Sequence, residues 1–256
     1  MVKQVADLKA NERDKPTEAR SEFVNRLIRY GRLARDRVLL RQPEAIGAFP
    51  FELRANTLFW ERWLNIRTRG SQTEHNGEAY RYEPAQYYVI RRIFDQLRLA
   101  PHDVVVDVGS GKGRVVCMAA HLPIKKSIGV EYSSELNRIA ESNKQRMRGQ
   151  IAPIEIWEGW AQDYRYDDAT VVMLFNPFGE RIMRQLMEVL QQSMQRRPRP
   201  LRLVYTAPTC QHVFEEQSWL RKTAEWPLEL FPGFILGRGQ DVAVTFWEAR
   251  PQHVAD

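Results

Sequence analysis

The sequence predicts an α/β fold in which a doubly wound, mostly parallel β-sheet is covered by helices and preceded by a helical extension. From Val104 onward, short apolar runs alternate with longer amphipathic segments, the pattern of repeated strand–helix units. The runs are continuously apolar, as expected for strands buried on both faces. The last two runs are joined by the glycine-containing residues 231–240, which predicts an antiparallel hairpin.

The residues before the sheet carry helical periodicity. Apolar residues recur at helical spacing in residues 21–40, with Ser21 as a plausible N-cap, and again in residues 51–69. Residues 1–20 are polar and charged, which favours a flexible terminus. We therefore divide the chain into a flexible N-terminus (1–20), a helical extension (21–82) and a main domain (83–256).

The main domain opens with a helix and continues as alternating strands and helices. The predicted helices are AQYYVIRRIFDQL, GRVVCMAAHL, SSELNRIAESNKQRM and RIMRQLMEVLQQSMQ, and the predicted strands are VVVDVG, SIGVEY, IEIWEG, TVVMLFN, LRLVYTA, WPLELF and DVAVTFWEA.

Composition excludes several classes of protein. With 256 residues, 43% of them hydrophobic, the chain is too apolar to be disordered and long enough for one full core. It contains no run of about 20 apolar residues, which a membrane span requires, and its start lacks the apolar segment of a signal peptide. We therefore expect a cytoplasmic protein. The two cysteines and five histidines show no metal-binding spacing, so we expect no metal site.

The chain is basic, with a formal net charge of +6 and a pI near 9.4. Such a charge favours nucleic acid, anionic membrane surfaces or acidic proteins without distinguishing among them. The arginine-rich pattern of residues 21–40 fits either a helix that lies on such a partner or a helix that packs on the main domain with solvated arginines.

A glycine-rich turn, Asp107–Gly113, stands directly after a predicted strand and before a predicted helix. Glycine at such a turn lets a ligand approach the backbone amides at the start of the helix. Gly109, Gly111 and Gly113 form G-x-G-x-G, whereas the dinucleotide fingerprint G-x-G-x-x-G needs glycine where Arg114 stands. The sequence also lacks a phosphate-binding P-loop.

Two acidic residues lie where a ligand of this turn would bind. Asp107 precedes the glycines, and its carboxylate repels phosphate but suits an ammonium group. Glu131 ends the second predicted strand, where a carboxylate can accept hydrogen bonds from both hydroxyls of a ribose. The pattern therefore indicates a cationic ligand that carries a ribose.

These motifs resemble those of class I S-adenosylmethionine-dependent methyltransferases, over about residues 104–248. The resemblance implies a Rossmann-like seven-stranded sheet with an antiparallel last strand and S-adenosyl-L-methionine as the cofactor. It further implies that Asp107 and the loop hold the methionine part and that Glu131 holds the ribose. Trp160 and Ala161 align with the adenine-binding position, so Trp160 replaces the acidic residue usual there, for which Asp163 or a backbone carbonyl can substitute. The resulting cofactor set is Asp107, Gly109, Ser110, Gly111, Gly113, Glu131, Trp160, Ala161 and Asn176.

The segment Asn176-Pro177-Phe178-Gly179 follows a buried strand and resembles the N/D-P-P-Y motif of amine methyltransferases, without matching its third and fourth positions. We predict Asn176, Pro177 and Phe178 as the catalytic residues. The amide oxygen of Asn176 would accept a hydrogen bond from a substrate amine, and Phe178 would line the pocket and stabilise the passing cation. Asn, Pro and Gly are also ordinary turn residues. With the glycine loop and Glu131, Asn176 and Phe178 also resemble non-SET lysine methyltransferases of the histone type.

The sequence thus predicts a methyltransferase that acts on an amine nitrogen of a protein side chain or a small molecule, through positioning and without a metal. Tyr80, Tyr82 and Glu83 would fold over the cofactor or simply lead into the first helix. The alternatives are a nucleic-acid methyltransferase, a non-catalytic nucleic-acid-binding protein that uses the basic N-terminal helix, and an NAD-dependent oxidoreductase.

Overall fold

The computed structural model of the protein describes residues 50–70, 82–227 and 242–249. The predicted flexible terminus, the predicted basic helix over 21–40 and Tyr80 lie outside these ranges, so the division at residues 20 and 82 stays a prediction. Within the described ranges, no helix combines the length and the apolarity needed to cross a membrane.

Seven strands of the described residues form one sheet in the order β3-β2-β1-β4-β5-β7-β6. The strands are β1 (Val104–Val108), β2 (Lys126–Glu131), β3 (Ile154–Glu158), β4 (Val171–Phe175), β5 (Arg202–Thr206), β6 (Leu220–Pro227) and β7 (Val242–Ala249). The helices are α1 (Pro50–Leu64), α2 (Tyr87–Leu97), α3 (Arg114–Ala120), α4 (Ser134–Arg146), α5 (Glu180–Arg196) and α6 (Gln211–Glu215).

The first five strands are parallel, and β7 runs antiparallel to both of its neighbours. This arrangement confirms the predicted Rossmann-like sheet. The order of strands reverses at β1, whose two neighbours are β2 and β4. In open α/β sheets, ligands bind beyond the carboxyl ends of the strands at this reversal point.

The closing hairpin differs from the sequence prediction at one strand. The predicted strand WPLELF covers 226–231, whereas β6 begins at Leu220 and ends at Pro227, and residues 228–231 lie outside the described ranges. Most side chains of β6 are exposed because it is the edge strand and pairs only with β7. An edge strand with polar side chains has no apolar run that would reveal it. The short helix α6 was not predicted either.

Helix α1 confirms helical structure in the predicted extension, and it packs on α2 through a stack of Trp60 on Tyr87 with ring centroids 6.1 Å apart. Its buried face also carries Glu61. One carboxylate oxygen of Glu61 accepts hydrogen bonds from the backbone N–H (2.8 Å) and the hydroxyl (3.0 Å) of Thr68, and the other accepts from Arg69 Nε at 2.6 Å. This carboxylate fixes the chain that leaves α1.

Arg114, the first residue of α3, connects that chain to the main domain. Its Nε donates to Thr68 Oγ1 at 2.7 Å and its Nη1 donates to the carbonyl oxygen of Ala85 at 2.6 Å. The guanidinium lies 4.3 Å from the ring centroid of Tyr87, and another of its nitrogens is 3.7 Å from Glu61. Because Arg114 is only 4% exposed, these partners compensate a charge that water does not reach.

Replacing Arg114 with methionine tests this connection. Arg114→Met should lower the free energy of unfolding by about 3 kcal/mol, because it removes the Arg114 donor from the buried carbonyl oxygen of Ala85 and the nearby positive charge from the buried carboxylate of Glu61. Urea unfolding provides the measurement. Arg138→Met, which removes an exposed arginine of α4, should change the value by less than about 0.5 kcal/mol. Equal small effects in the two variants would show that Arg114 does not hold the extension.

Candidate active site

The carboxyl ends of the parallel strands meet at one edge of the sheet. The register places Val108 beside both Val130 and Leu174, and Phe175 beside Thr206. The residues that follow β1, β2, β4 and β5 are therefore neighbours in space although they lie far apart in the chain.

The glycine loop after β1 is held against β2 by its backbone. The amide groups of Gly109 and Ser110 donate to the carbonyl oxygen of Val130 at 2.8 and 3.1 Å. Gly109 and Gly111 have positive φ angles of 74° and 54°. A Cβ on Gly109 would lie 2.5 Å from Pro177 Cβ, and one on Gly111 would lie 2.2 Å from Tyr82 Cε2. Both positions therefore require glycine.

Pro177 and Tyr82 border the glycine loop. Pro177 belongs to the segment after β4, so the loop and the predicted catalytic segment touch. Tyr82 covers the other side, and its hydroxyl donates to the carbonyl oxygen of Thr68 at 2.8 Å. Lys112 Nζ lies 4.9 Å from the Tyr82 ring centroid and donates to the carbonyl oxygen of Arg69 at 2.9 Å. Residues of the extension thus lie directly beside the glycine loop.

Glu131 ties the loop to the end of β2. Its buried carboxylate accepts hydrogen bonds from the N–H groups of Gly111 at 2.9 Å and Ser133 at 3.0 Å. Burial raises the pKa of Glu131 above its usual value, and the hydrogen bonds from these backbone N–H groups oppose that rise. The carboxylate oxygens keep further lone pairs for a ligand.

Asp107 is the second buried carboxyl group of the site. Its burial and the negative charge of nearby Glu131 together raise the pKa of Asp107 to about 8. A cation at this position would compensate the charge and favour the ionised carboxylate. Within the described ranges, no three His, Cys, Asp or Glu side chains are grouped so that they could hold a metal ion.

Two aromatic side chains follow β2 and β3 at the same edge. The rings of Tyr132 and Trp160 stack with centroids 4.7 Å apart and planes 9° apart. Ala161 is buried, and its carbonyl oxygen accepts a hydrogen bond from the Tyr166 hydroxyl at 2.8 Å. The side chain of Asp163 is exposed. An aromatic surface therefore stands where the sequence alignment expects an acidic residue.

Asn176 directly follows β4 in a left-handed conformation, with φ of 41°. Its amide oxygen accepts hydrogen bonds from the hydroxyls of Tyr205 at 3.1 Å and Thr209 at 2.6 Å. The Tyr205 oxygen in turn accepts from the backbone N–H of Cys210 at 3.2 Å. The oxygen that the sequence assigns to the substrate is thus already engaged by two hydroxyls.

Three of the predicted site residues are buried in the packed interior of the domain. Ser110 Oγ packs towards Gly129 and is buried with no hydrogen-bond partner in the described part of the chain. Gly113 packs against Ala140 of α4, where an added Cβ would lie 3.3 Å from Ala140 Cβ. Phe178 is 5% exposed and belongs to the hydrophobic core. The cofactor-binding and catalytic roles that we predict for these residues from the sequence remain predictions.

The structure brings the other predicted residues to one edge and adds some that the sequence did not indicate. Asp107, Gly109, Gly111, Glu131, Asn176 and Pro177 lie together with the Trp160 stack. Tyr205 and Thr209 were missed, and the only available signal was the position of Thr209 just after a predicted strand. The sequence did single out Arg114, because it stands where the dinucleotide fingerprint needs its third glycine. That observation argued against a dinucleotide but did not indicate the contacts that Arg114 makes.

Comparison with known proteins agrees with this architecture. The family model described as histone methylation protein DOT1 matches residues 71–157, which include the glycine loop and Glu131. The structure of an RNA methyltransferase from Salinibacter ruber in complex with S-adenosyl-L-homocysteine superposes with a TM-score of 0.50 and 22% identity. The superposition covers 68% of this chain and 98% of the RNA methyltransferase chain. The protein is a class I S-adenosylmethionine-dependent methyltransferase with a Rossmann-like fold.

Two curated relatives have names that specify the residue they methylate. A protein-lysine N-methyltransferase of Saccharolobus islandicus (strain REY15A) is 28% identical over 139 residues, which are 54% of this chain and 79% of the relative. An H3 lysine-79 specific histone-lysine N-methyltransferase of Caenorhabditis elegans is 46% identical over 79 residues. That match covers 30% of this chain and 8% of the relative.

The raised pKa of Asp107 predicts a pH-dependent stability of the cofactor-free protein. Because the folded-state pKa of about 8 lies above the unfolded value of 3.8, stability should fall as pH rises through that interval, since unfolding releases the proton that the buried carboxyl holds. Urea unfolding at several pH values between about 5 and about 9 measures this loss. In Asp107→Asn, the free energy of unfolding should change clearly less with pH than in the wild type. An equal pH dependence in the two proteins would show that a group other than Asp107 is responsible.

Proposed function

We propose that this methyltransferase transfers a methyl group to the ε-amine of lysine in a protein substrate. The observation that carries the proposal is the edge where the glycine loop contacts the Asn176-Pro177 turn, because it joins a cofactor loop to a polar strand end. Both curated relatives are lysine methyltransferases, which supports the choice of lysine.

The residues at the edge fit S-adenosylmethionine. Asp107 would face its ammonium group and Glu131 its ribose hydroxyls, while the glycine loop lets the ligand approach the backbone. Trp160, stacked on Tyr132, offers an aromatic face beside Ala161 for the adenine. The cofactor, when bound, supplies a methyl group on a sulfonium sulfur.

The protein contributes position and desolvation at the other side of this edge. An incoming lysine must lose its proton before its nitrogen can attack, and in water its pKa is about 10.4. Transfer of the amine from water to the partly buried turn at Asn176 favours the neutral form. The turn would then hold the nitrogen in line for displacement, which is catalysis mainly by orientation.

Transfer of tritiated methyl from S-adenosylmethionine into a cell extract tests the proposal. Label should appear in the protease-sensitive fraction and, after acid hydrolysis, in methylated lysine. Asn176→Ala should reduce the rate about 100-fold while its cofactor affinity, measured by calorimetry, stays close to that of the wild type.

An extract whose lysines are blocked by acetylation, which ties up the nitrogen lone pair in an amide, is the matched control and should accept no label. Label in the nuclease-sensitive fraction would favour a nucleic-acid methyltransferase. Label in small molecules alone would exclude a protein substrate.

A further inference from the structure

Thr209 is the exposed residue of the hydrogen-bond cluster at Asn176. We propose that Thr209 Oγ1 accepts a hydrogen bond from the substrate amine and orients it, while Asn176 and Tyr205 fix that hydroxyl. This inference rests on the proposed function and names a residue of the same site that the sequence did not indicate.

The hydrogen-bond donors and acceptors of the cluster determine which oxygen can accept a further hydrogen bond. An amide oxygen has two lone pairs, and the hydroxyls of Tyr205 and Thr209 occupy both on Asn176. The Asn176 oxygen therefore has no lone pair left for a substrate N–H. Thr209 gives its one hydroxyl proton to Asn176 at 2.6 Å, so its own oxygen presents lone pairs only. The Cys210 thiol, 3.8 Å away, can donate to one of these lone pairs, which leaves the other for a ligand. Asn176 thus makes Thr209 an acceptor.

Thr209 and Tyr205 differ in their exposure to solvent. Tyr205 is fully buried, and its oxygen already accepts from the N–H of Cys210. Burial raises the pKa of Tyr205 to about 12, so its phenol remains a proton donor to Asn176 at neutral pH. Thr209, in contrast, is exposed. Of the three side chains in the cluster, Thr209 offers the oxygen that a substrate can reach.

Thr209 also lies close to the turn that contacts the cofactor loop. Asn176 and Ala207 follow the adjacent strand ends Phe175 and Thr206, which are paired in the sheet. Pro177, the next residue, contacts Gly109 of the cofactor loop. Thr209 therefore stands beside the turn that borders the cofactor loop, where a substrate amine must come.

The chemistry requires positioning and no base. A neutral amine donates one N–H to Thr209 Oγ1, and its nitrogen lone pair remains free to form the bond to the methyl carbon. The carbon–sulfur bond breaks with its electron pair on sulfur, and the surplus proton leaves the nitrogen for solvent. Thr209 neither gains nor loses a proton.

Two substitutions of similar size separate this role from packing. Thr209→Val keeps the shape and removes the oxygen, whereas Thr209→Ser keeps the hydroxyl and removes a methyl group. Formation of labelled methyllysine is followed at saturating S-adenosylmethionine in serial dilutions of cell extract, which gives an apparent kcat and KM. Calorimetry with S-adenosylmethionine and thermal unfolding are measured on each variant.

The valine variant should lose about 10- to 100-fold in apparent kcat, with cofactor affinity within about twofold of the wild type. The serine variant should keep at least about a third of the wild-type kcat. A valine variant as active as the wild type, or a serine variant as impaired as valine, would overturn the assignment. A wild-type protein that binds cofactor but forms no methyllysine would overturn the proposed function, and this inference with it.

Discussion

The buried carboxylate of Glu131 is the interaction on which the site depends. It accepts N–H groups from both the glycine loop and the start of α4, and so joins the ends of β1 and β2. Without it, the N–H of Gly111 would be buried and unpaired, at a cost of about 1–3 kcal/mol. The same oxygens are our candidates for the ribose, so loop structure and cofactor binding share one side chain.

A second buried carboxyl group, that of Asp107, lies near Glu131. Asp107 lies close enough for the charge of Glu131 to raise its pKa. An ionised pair is unfavourable in the absence of a cation, which makes the site selective for a positively charged ligand. The electrostatics thus favour the same kind of ligand that the glycine loop admits sterically.

Arg114 and Lys112 extend this organisation to the N-terminal side. Lys112 lies in the glycine loop and Arg114 directly follows it, and both donate to residues 68–70 after α1. Tyr82, which lies on Gly111, is held by a carbonyl oxygen of the same segment. The residues after α1 are therefore part of the wall of the site, and changes in α1 can reach the cofactor loop through them.

Much of this architecture could be predicted from local patterns. Apolar runs and helical periodicity revealed the strands β1 to β5 and the long helices, and the G-x-G-x-G turn located the loop. Glu61 and Arg114 were missed because charged residues indicate surface unless a partner is known. Thr209 was missed because its partner Asn176 lies 33 residues away in sequence, and only the pairing of β4 with β5 brings them together. Strand β6 was misplaced because an edge strand needs no apolar run.

In our proposal, cofactor and amine meet at the edge between Glu131 and Thr209. A crystal structure with S-adenosyl-L-homocysteine and a lysine-containing peptide tests it most directly. We expect the ribose hydroxyls on the Glu131 carboxylate, the ammonium group near Asp107, and the cofactor sulfur facing a lysine nitrogen that contacts Thr209 Oγ1. A ribose bound away from Glu131, or a lysine that enters on the far side of the Asn176 turn, would contradict it.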